Sequence, residues 1–440
     1  MDMTGAVRSR EFWRVLLLSA VVGIPVSIAA LAFVYLFTSG IDLIWYDLPA
    51  WLGLDEPPWW LVIVVPTLGG LLVAGTRRLS GDGGHSPLRG FSGGPTRPQY
   101  LPSVLLAMLV TLCSGLVLGH EAPLMAIGTG LAVLMMTAAA KQDMNARQAF
   151  AIAGAAAALS VLFGNPIVAV VLLLEAMGLG GPQRSLFLFP ALLSSGIGYL
   201  VFTGIGWFTG FNQPVLAVPD PPQSGPLTFV DVGWTLVLAP AAAAVLLLIR
   251  AAAFQLQNRT RRSKPWIVIP IAGLAVALLA LCYSWVTGAD PRNVLFSGQS
   301  AIPGLAGQGM DIGVSVLVAL LLCKGLAFAV SLGGGFRGGP IFPSLFLGGL
   351  IGMIGAQLLP GISPAAAFYV GMAAATAASL QIPLGSILLV ALLGGAVGIQ
   401  LLPLIICAAV IGSLLRAAAD LSPLRAAAAD PAPEPPRVLA

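Results

Sequence analysis

The stretch 13-WRVLLLSAVVGIPVSIAALAFVYLF-37 holds one charged residue, Arg14, and is otherwise almost wholly apolar. At 1.5 Å per residue, a helix over it is long enough to cross the ~30 Å hydrocarbon core of a bilayer. Runs of similar character recur at 59-WWLVIVVPTLGGLLVAG-75, 186-LFLFPALLSSGIGYLVF-202, 232-VGWTLVLAPAAAAVLLLI-249 and 266-WIVIPIAGLAVALLALCYSWV-286. About ten or more such segments are expected along the chain. The composition agrees: 58% of residues are hydrophobic and 9% are charged, where a soluble domain carries about 25% charged residues. The predicted class is an all-α polytopic membrane protein. The first apolar run is too long for a signal peptide and lacks a small-residue cleavage site after it, so it is read as a retained helix.

Basic residues gather in short connections: Arg8, Arg10 and Arg14 at the first span, Arg77 and Arg78 after the second, and 259-RTRRSK-264. The bias of Lys and Arg toward the cytoplasm then places the N-terminus on the cytoplasmic side, and the expected location is the cell inner membrane. The net charge of +4 reflects topology and supplies no continuous basic face for nucleic acid. Cys113, Cys282, Cys323 and Cys407 stand far apart in apolar stretches and read as small buried hydrophobes rather than a disulfide or zinc framework.

The chain resembles itself. A shift of 220 residues lays Gly119, Pro123 and Gly128 on Gly339, Pro343 and Gly348; a shift of 217 lays Gly154, Pro166 and Leu172 on Gly371, Pro383 and Leu389. With 53 Gly and 34 Pro such matches come cheaply one at a time, but two in the same order at nearly one offset indicate an internal repeat. Transporters are often built this way, with the substrate site between the halves. The expected halves are residues 1–215 and 227–417, separated by the Pro-rich 213-QPVLAVPDPPQSGP-226 and followed by a polar Pro/Ala-rich tail, 418–440, with no soluble regulatory domain.

Gly-rich breaks at 81-GDGGHSP-87, 115-GLVLGHEAP-123 and 333-GGGFRGGPIFP-343 each precede a renewed apolar run. Gly frees the backbone and Pro suits a first helical turn, so each break predicts a helix that opens at membrane depth. The N–H groups and positive dipole end of such a helix form a ready anion site. Glu121 stands at one of these openings. As a carboxylate it either gates the site by competing with a mobile anion or merely caps its helix, and intramembrane carboxylates default to functional hypotheses.

His85 and His120 both lie in Gly-rich breaks, yet only Asp82 and Glu121 are near them, too few ligands for a metal. His120 is expected as a polar neighbour of the gate. Glu175, ending the apolar run from Pro166, is either an inner proton stop or the point where a helix meets water. Lys324 either adds positive field to an anion path or snorkels to an interface. Between Ile312 and Ala419 there is no Asp or Glu, which argues against an intramembrane enzyme, as does the lack of H-E-x-x-H after His120.

These stretches together resemble the CLC family of chloride channels and proton/chloride antiporters, over residues 11 to 425. GGHSP at 83–87 is similar to the family's GSGIP, GHEAP at 119–123 to its GREGP, and GGPIFP at 338–343 to its GGIFAP-like anion-binding loop; 163-FGNPIVAVVLLLEAM-177 resembles a fourth family helix. The resemblance implies an inverted repeat of transmembrane and half-spanning helices, a pore in each subunit of a homodimer, and no cofactor or metal. It implies Glu121 as the gate and Gly84, Ser86, Glu121, Ala122, Gly339, Ile341 and Phe342 as the anion-binding set. A proton path would use Glu121 and Glu175.

The chain departs from the pattern at several points. Gly84 stands where chloride-selective members carry a serine, with Ser86 at a different helical angle. Pro340 stands where an N–H often holds chloride and has none to give, leaving Ile341 and Phe342. His120 replaces an arginine, Ala176 aligns with the family's inner glutamate, and 422-SPLR-425 lacks the family's pore tyrosine, Tyr369 being the last tyrosine in the chain. The expected function is transport of a small inorganic anion, chloride first, gated by Glu121, with lipid and protons as partners. An uncoupled channel, a fluoride exporter, a membrane enzyme using His120 and Glu121, and a non-transporting scaffold are the alternatives.

Overall fold

Away from water the backbone must satisfy its own hydrogen bonds, and apolar runs of this length do so as helices. The computed structural model describes residues 10–88, 96–139, 144–178, 184–209, 218, 221 and 225–421. The N-terminal basic residue Arg8, most of the 213–226 connection and the tail from 422 onward, with its SPLR segment, lie outside the described residues.

The first helices are α1 (Arg10–Asp42), α2 (Trp59–Thr76), α3 (Leu101–Cys113), α4 (Glu121–Ala139), α5 (Met144–Phe163), α6 (Pro166–Ala176) and α7 (Arg184–Thr209). They are followed by α8 (Phe229–Thr260), α9 (Pro265–Thr287), α10 (Val314–Gly333), α11 (Ile341–Leu358), α12 (Pro364–Leu380), α13 (Pro383–Leu393) and α14 (Leu402–Asp420). Among the described residues there is no strand, only one isolated bridge between Gly119 and Gly339.

Eight of these helices are long and apolar enough to cross a membrane. This is fewer than the ten or more segments expected from hydropathy. The remaining apolar helices include α4 at 19 and α5 at 20 residues, together with two much shorter ones, α6 and α13, at 11 residues each. Such a helix is ~16 Å long, about half the hydrocarbon thickness. Outside, Trp207, Phe229, Leu200 and Leu248 are exposed, an apolar exterior suited to lipid and not to water.

Packing follows the same pattern twice along the chain. α1 lies against α5 and α7, as α8 lies against α12 and α14; α4 packs on α5, and α11 on α12. The Ala-rich α5 and α12 are buried in the centre of these groups. Small residues let the backbones close in: a Cβ on Gly348 would lie 2.5 Å from the Gly371 carbonyl oxygen, and Gly128 meets the Gly154 carbonyl in the same manner. These are the glycines that the two sequence shifts superimpose. The contact that carries their side-by-side helices is van der Waals packing, which a single methyl group would prevent.

Candidate functional site

α4 and α11 begin at loops that touch. The Gly119 N–H donates to the Gly339 carbonyl at 2.7 Å, and the Gly339 N–H donates to the Gly119 carbonyl at 2.8 Å. The two Gly-rich breaks that sequence similarity superimposes are therefore neighbours in space, paired antiparallel. A Cβ on either glycine would run into the side chain of Glu121. Both positions leave room for a carboxylate.

Glu121 opens α4 and is fully buried. Its Oε1 accepts the Ile341 N–H at 2.5 Å, while Oε2 is buried without a hydrogen-bond partner. The sequence reading had this carboxylate serving the start of its own helix. The structure adds a hydrogen bond that crosses to α11. Pro340 has no N–H, so Ile341 supplies the first donor of that helix, and the carboxylate sits at the positive end of an 18-residue dipole.

His120 does not point toward a ligand set. Its ring lies 5.1 Å from the Phe342 ring, stacked at 15°, and 4.8 Å from that of Phe37. It is a polar ring held within an aromatic stack, next in sequence to Glu121. No group of three His, Cys, Asp or Glu side chains able to hold a metal ion occurs among the described residues. His85 is exposed and lies well forward in the first Gly-rich break, on the wall of the cavity described next.

That cavity, of about 850 Å³, is lined by Gly84, Ser86, Ala122 and Gly338 among others. It thus runs from the first Gly-rich break to the residues beside Glu121 and Gly339. Gly84 adopts φ +95, a left-handed conformation natural to glycine, and its N–H donates to the Gly81 carbonyl at 2.9 Å. Ser86 presents its hydroxyl to α8, where the Gln257 amide donates to it at 2.8 Å. Ala122 is half-buried, and the Phe342 side chain is buried against His120.

Two charged residues have roles that the sequence left open. Glu175 accepts the Leu384 N–H at 2.9 Å and the Gly385 N–H at 2.6 Å. It caps α13 from α6, whereas α6 is capped by its own Asn165, which accepts from Ile167 and Val168. Lys324 is buried, and its Nζ donates to the carbonyls of Asn293, Val294, Leu295 and Phe296 at 2.8–3.2 Å. It lies 5.0 Å over the Phe346 ring. Lys324 neither snorkels nor lines the cavity; it clamps a loop whose Phe296 N–H donates to Gly115, just upstream of the GHEAP break.

Sequence reasoning missed Gln257, Asn165 and the basic wall of the cavity, to which Arg77, Arg97, Arg261 and Arg337 contribute. The signal for Arg337 was present, a lone charge inside a Gly-rich break. Arg78, over the Trp266 ring at 4.3 Å, brings the basic turn after α2 against the start of α9.

The paired loop geometry coincides with a family match. The family model described as voltage gated chloride channel matches residues 86–416. The chain belongs to the CLC family. Its activity is that family's anion transport, and the enzyme alternative falls away. Among relatives, the candidate ion-transport protein YfeO of Escherichia coli K12 / DH10B is 28% identical over 366 residues, 82% of each chain. A slow cyanobacterial Cl−/H+ antiporter has the same fold, with TM-score 0.76, 18% identity, and coverage of 94% of this chain and 97% of that one. A CLC-type fluoride/proton antiporter gives TM-score 0.72 and 19% identity over 92% of this chain and 96% of its own. The all-helical CLC-type fold expected from the sequence stands, and the protein is a multi-span membrane protein.

Proposed function

We propose that Glu121 gates the anion path of this CLC protein by occupying the N-terminus of α11. The observation that carries this is the Glu121 Oε1 contact with the Ile341 N–H. An ionised carboxylate satisfies that donor and fills the place an anion would take. Protonation removes its charge, the carboxyl leaves, and the anion takes the N–H groups of Ile341 and Phe342 at the positive helix end. Gly339 and Gly119 keep the space open, Ala122 forms the wall, and Gly84 and Ser86 line the approach through the cavity. His120 holds the Phe342 ring in place.

Protons enter through the same carboxylate. Both oxygens of Glu175 accept backbone N–H groups at the start of α13, so a relay through it would first have to open that cap. We therefore assign the coupled proton step to Glu121 alone. The Cl−/H+ and fluoride/proton antiporters that share the fold support coupling, and the family description supports chloride as cargo. Fluoride is the second reading, favoured by the absence of a side-chain hydroxyl at Gly84.

In this reading the chain consists of two halves, 1–215 and 227–417, and the anion binds between them; the pairing of Gly119 with Gly339 supports it. In the same reading the protein is a homodimer in an inner membrane with its N-terminus in the cytoplasm. The Arg78–Trp266 contact supports this orientation by putting the basic residues after α2 and the 259–264 cluster on one side. The cavity, bordered by Arg77 and Arg261, opens on that side.

The test is reconstitution into liposomes with a series of anions. Chloride efflux above that of empty vesicles, with protons driven uphill by a chloride gradient, is the expected result. Anion flux without proton movement would replace the antiporter with a channel. Flux equal to empty vesicles for chloride, fluoride and nitrate would reject transport by this site.

A further inference from the structure

The first carbonyl of α11 is held by a side chain as well as by the helix. Pro340 precedes Ile341 at the helix start, and its carbonyl accepts two bonds from one residue, the Ser344 N–H at 3.2 Å and the Ser344 hydroxyl at 2.7 Å. The hydroxyl is the closer donor. Ser344 Oγ also lies 2.8 Å from the hydroxyl of Ser379, near the end of α12. A hydroxyl has one hydrogen to give, and a carbonyl can only accept. The arrangement that makes both bonds therefore runs one way: Ser379 donates to Ser344, and Ser344 donates to Pro340.

This chain ends on the peptide group that the carboxylate meets. Pro340 C=O and Ile341 N–H belong to the same amide, and that N–H is the one Glu121 Oε1 accepts. A hydrogen bond to the amide oxygen polarises the peptide group and makes its N–H a stronger donor, and a second bond feeding the first adds to the effect. The C=O and N–H of a trans peptide point in opposite directions, so the hydroxyls act on the donor from behind. Both serines are buried.

The plainer explanation is that a buried hydroxyl satisfies itself. Serines in helices bond to the carbonyl four residues back, and Ser386 at the start of α13 does so with Ile382 at 2.8 Å. That accounts for Ser344 but not for Ser379, which reaches across to another helix. The charged and titratable groups around the pair are engaged elsewhere. Arg416 of α14 donates to the Ala378 carbonyl and pairs with Asp420 at 2.7 Å. Lys324 of α10 is given over to four carbonyls, Arg337 of the preceding loop reaches Asp82, and His120 is stacked on Phe342.

We propose that Ser344 and Ser379 are positioning residues of the gate, whose hydroxyl chain sets how strongly the Ile341 N–H holds either occupant of the α11 start, the Glu121 carboxylate or the transported halide. This role rests on the gating reading, in which that N–H changes occupants. Cooperative strengthening of ~10–30% per bond, on a bond to an ionised acceptor, corresponds to about a twofold to fourfold change in hold.

The test measures chloride efflux from liposomes against pH, at saturating chloride, and against chloride concentration at low pH. The full chain is used as wild type, Ser344→Ala, Ser344→Thr, Ser379→Ala and Ser386→Ala. In Ser344→Ala the weakened donor releases the carboxyl more readily, so the pH of half-maximal efflux rises by about 0.3–0.6, and half-saturating chloride rises about twofold to fourfold. Ser344→Thr keeps a hydroxyl and restores both. Ser379→Ala moves both in the same direction by less, and adds nothing when combined with Ser344→Ala. Ser386→Ala, which removes a similar bond at another helix start, leaves both at the wild-type value.

Wild-type values of both quantities in Ser344→Ala and Ser379→Ala, with only lower melting temperatures, would overturn this role and leave two hydroxyls that satisfy each other. If Ser344→Ala does not fold, Ser379→Ala decides alone: a rise in both supports the role, and no shift or a fall rejects it. Glu121→Gln, run in parallel, separates this role from the gate itself. Loss of the pH response in Glu121→Gln with wild-type behaviour in Ser344→Ala keeps the gate and rejects the serines. A retained pH response in Glu121→Gln rejects the gate, and the role of the serines with it.

Discussion

At position 339 the proposed gate can be tested with one methyl group. A Cβ there would occupy the volume of the Glu121 side chain, so Gly339→Ala should push the carboxylate off the Ile341 N–H. The expected outcome is faster chloride efflux at high pH than in wild type, with a stability loss of ~1–3 kcal/mol from overpacking, read by flux and by thermal melting of the same preparation. Lys324 tests the opposite kind of residue, one that stabilises without lining the path. Lys324→Met should leave four carbonyls, two of them buried, without their cation and cost roughly 1.5–3 kcal/mol, while anion preference stays that of wild type. A changed chloride-to-fluoride ratio in that variant would return Lys324 to the anion path.

Among the elements, the two eleven-residue helices are capped differently. α6 carries its cap in its own sequence, at Asn165, and Asn165→Ala should lower stability by ~1 kcal/mol, as removal of such caps does. α13 begins after Ile382, which has no side chain to offer, and borrows Glu175 from α6. Glu175→Gln keeps an acceptor and loses the charge. It is expected to lower the melting temperature while leaving the number of protons moved per chloride unchanged; a fall in that number would make Glu175 part of the proton path. These helices show where sequence reading reaches its limit. Pro166 and Pro383 marked both helix starts, because proline restricts the first turn locally. The cap that crosses from one helix to the other left no local trace.

For the molecule as a whole, length and apolarity were enough to predict an all-helical membrane protein, since lipid leaves the backbone few alternatives. The repeated glycines announced both breaks; that Gly128, Gly154, Gly348 and Gly371 also stand at close helix crossings came only with the structure. Hydropathy did not separate the eleven-residue helices α6 and α13 from full spans, since a short buried helix is as apolar as a complete one. The partner of Glu121 was not legible either. Its carboxylate meets α11, a helix 220 positions away in sequence, and only the pairing of Gly119 with Gly339 brings the two together. Arg337 and Lys324 looked alike in the sequence as lone charges in apolar surroundings; their differing neighbours, a cavity for one and a ring of carbonyls for the other, belong to the tertiary structure. Orientation can be checked at this scale. A cysteine placed at Arg262 should react with a charged maleimide from the cytoplasmic face and one at Gly53, in the loop between α1 and α2, from the opposite face; the reverse would invert the topology.

Gating as proposed requires the Glu121 carboxylate to compete with the anion for the start of α11. The most direct measurement is chloride efflux from liposomes as a function of pH, for wild type and Glu121→Gln. Wild-type flux should rise as pH falls, because protonation frees the Ile341 N–H, and Glu121→Gln should give a flux that no longer depends on pH. A Glu121→Gln protein with the wild-type rate and the wild-type pH slope would contradict the account.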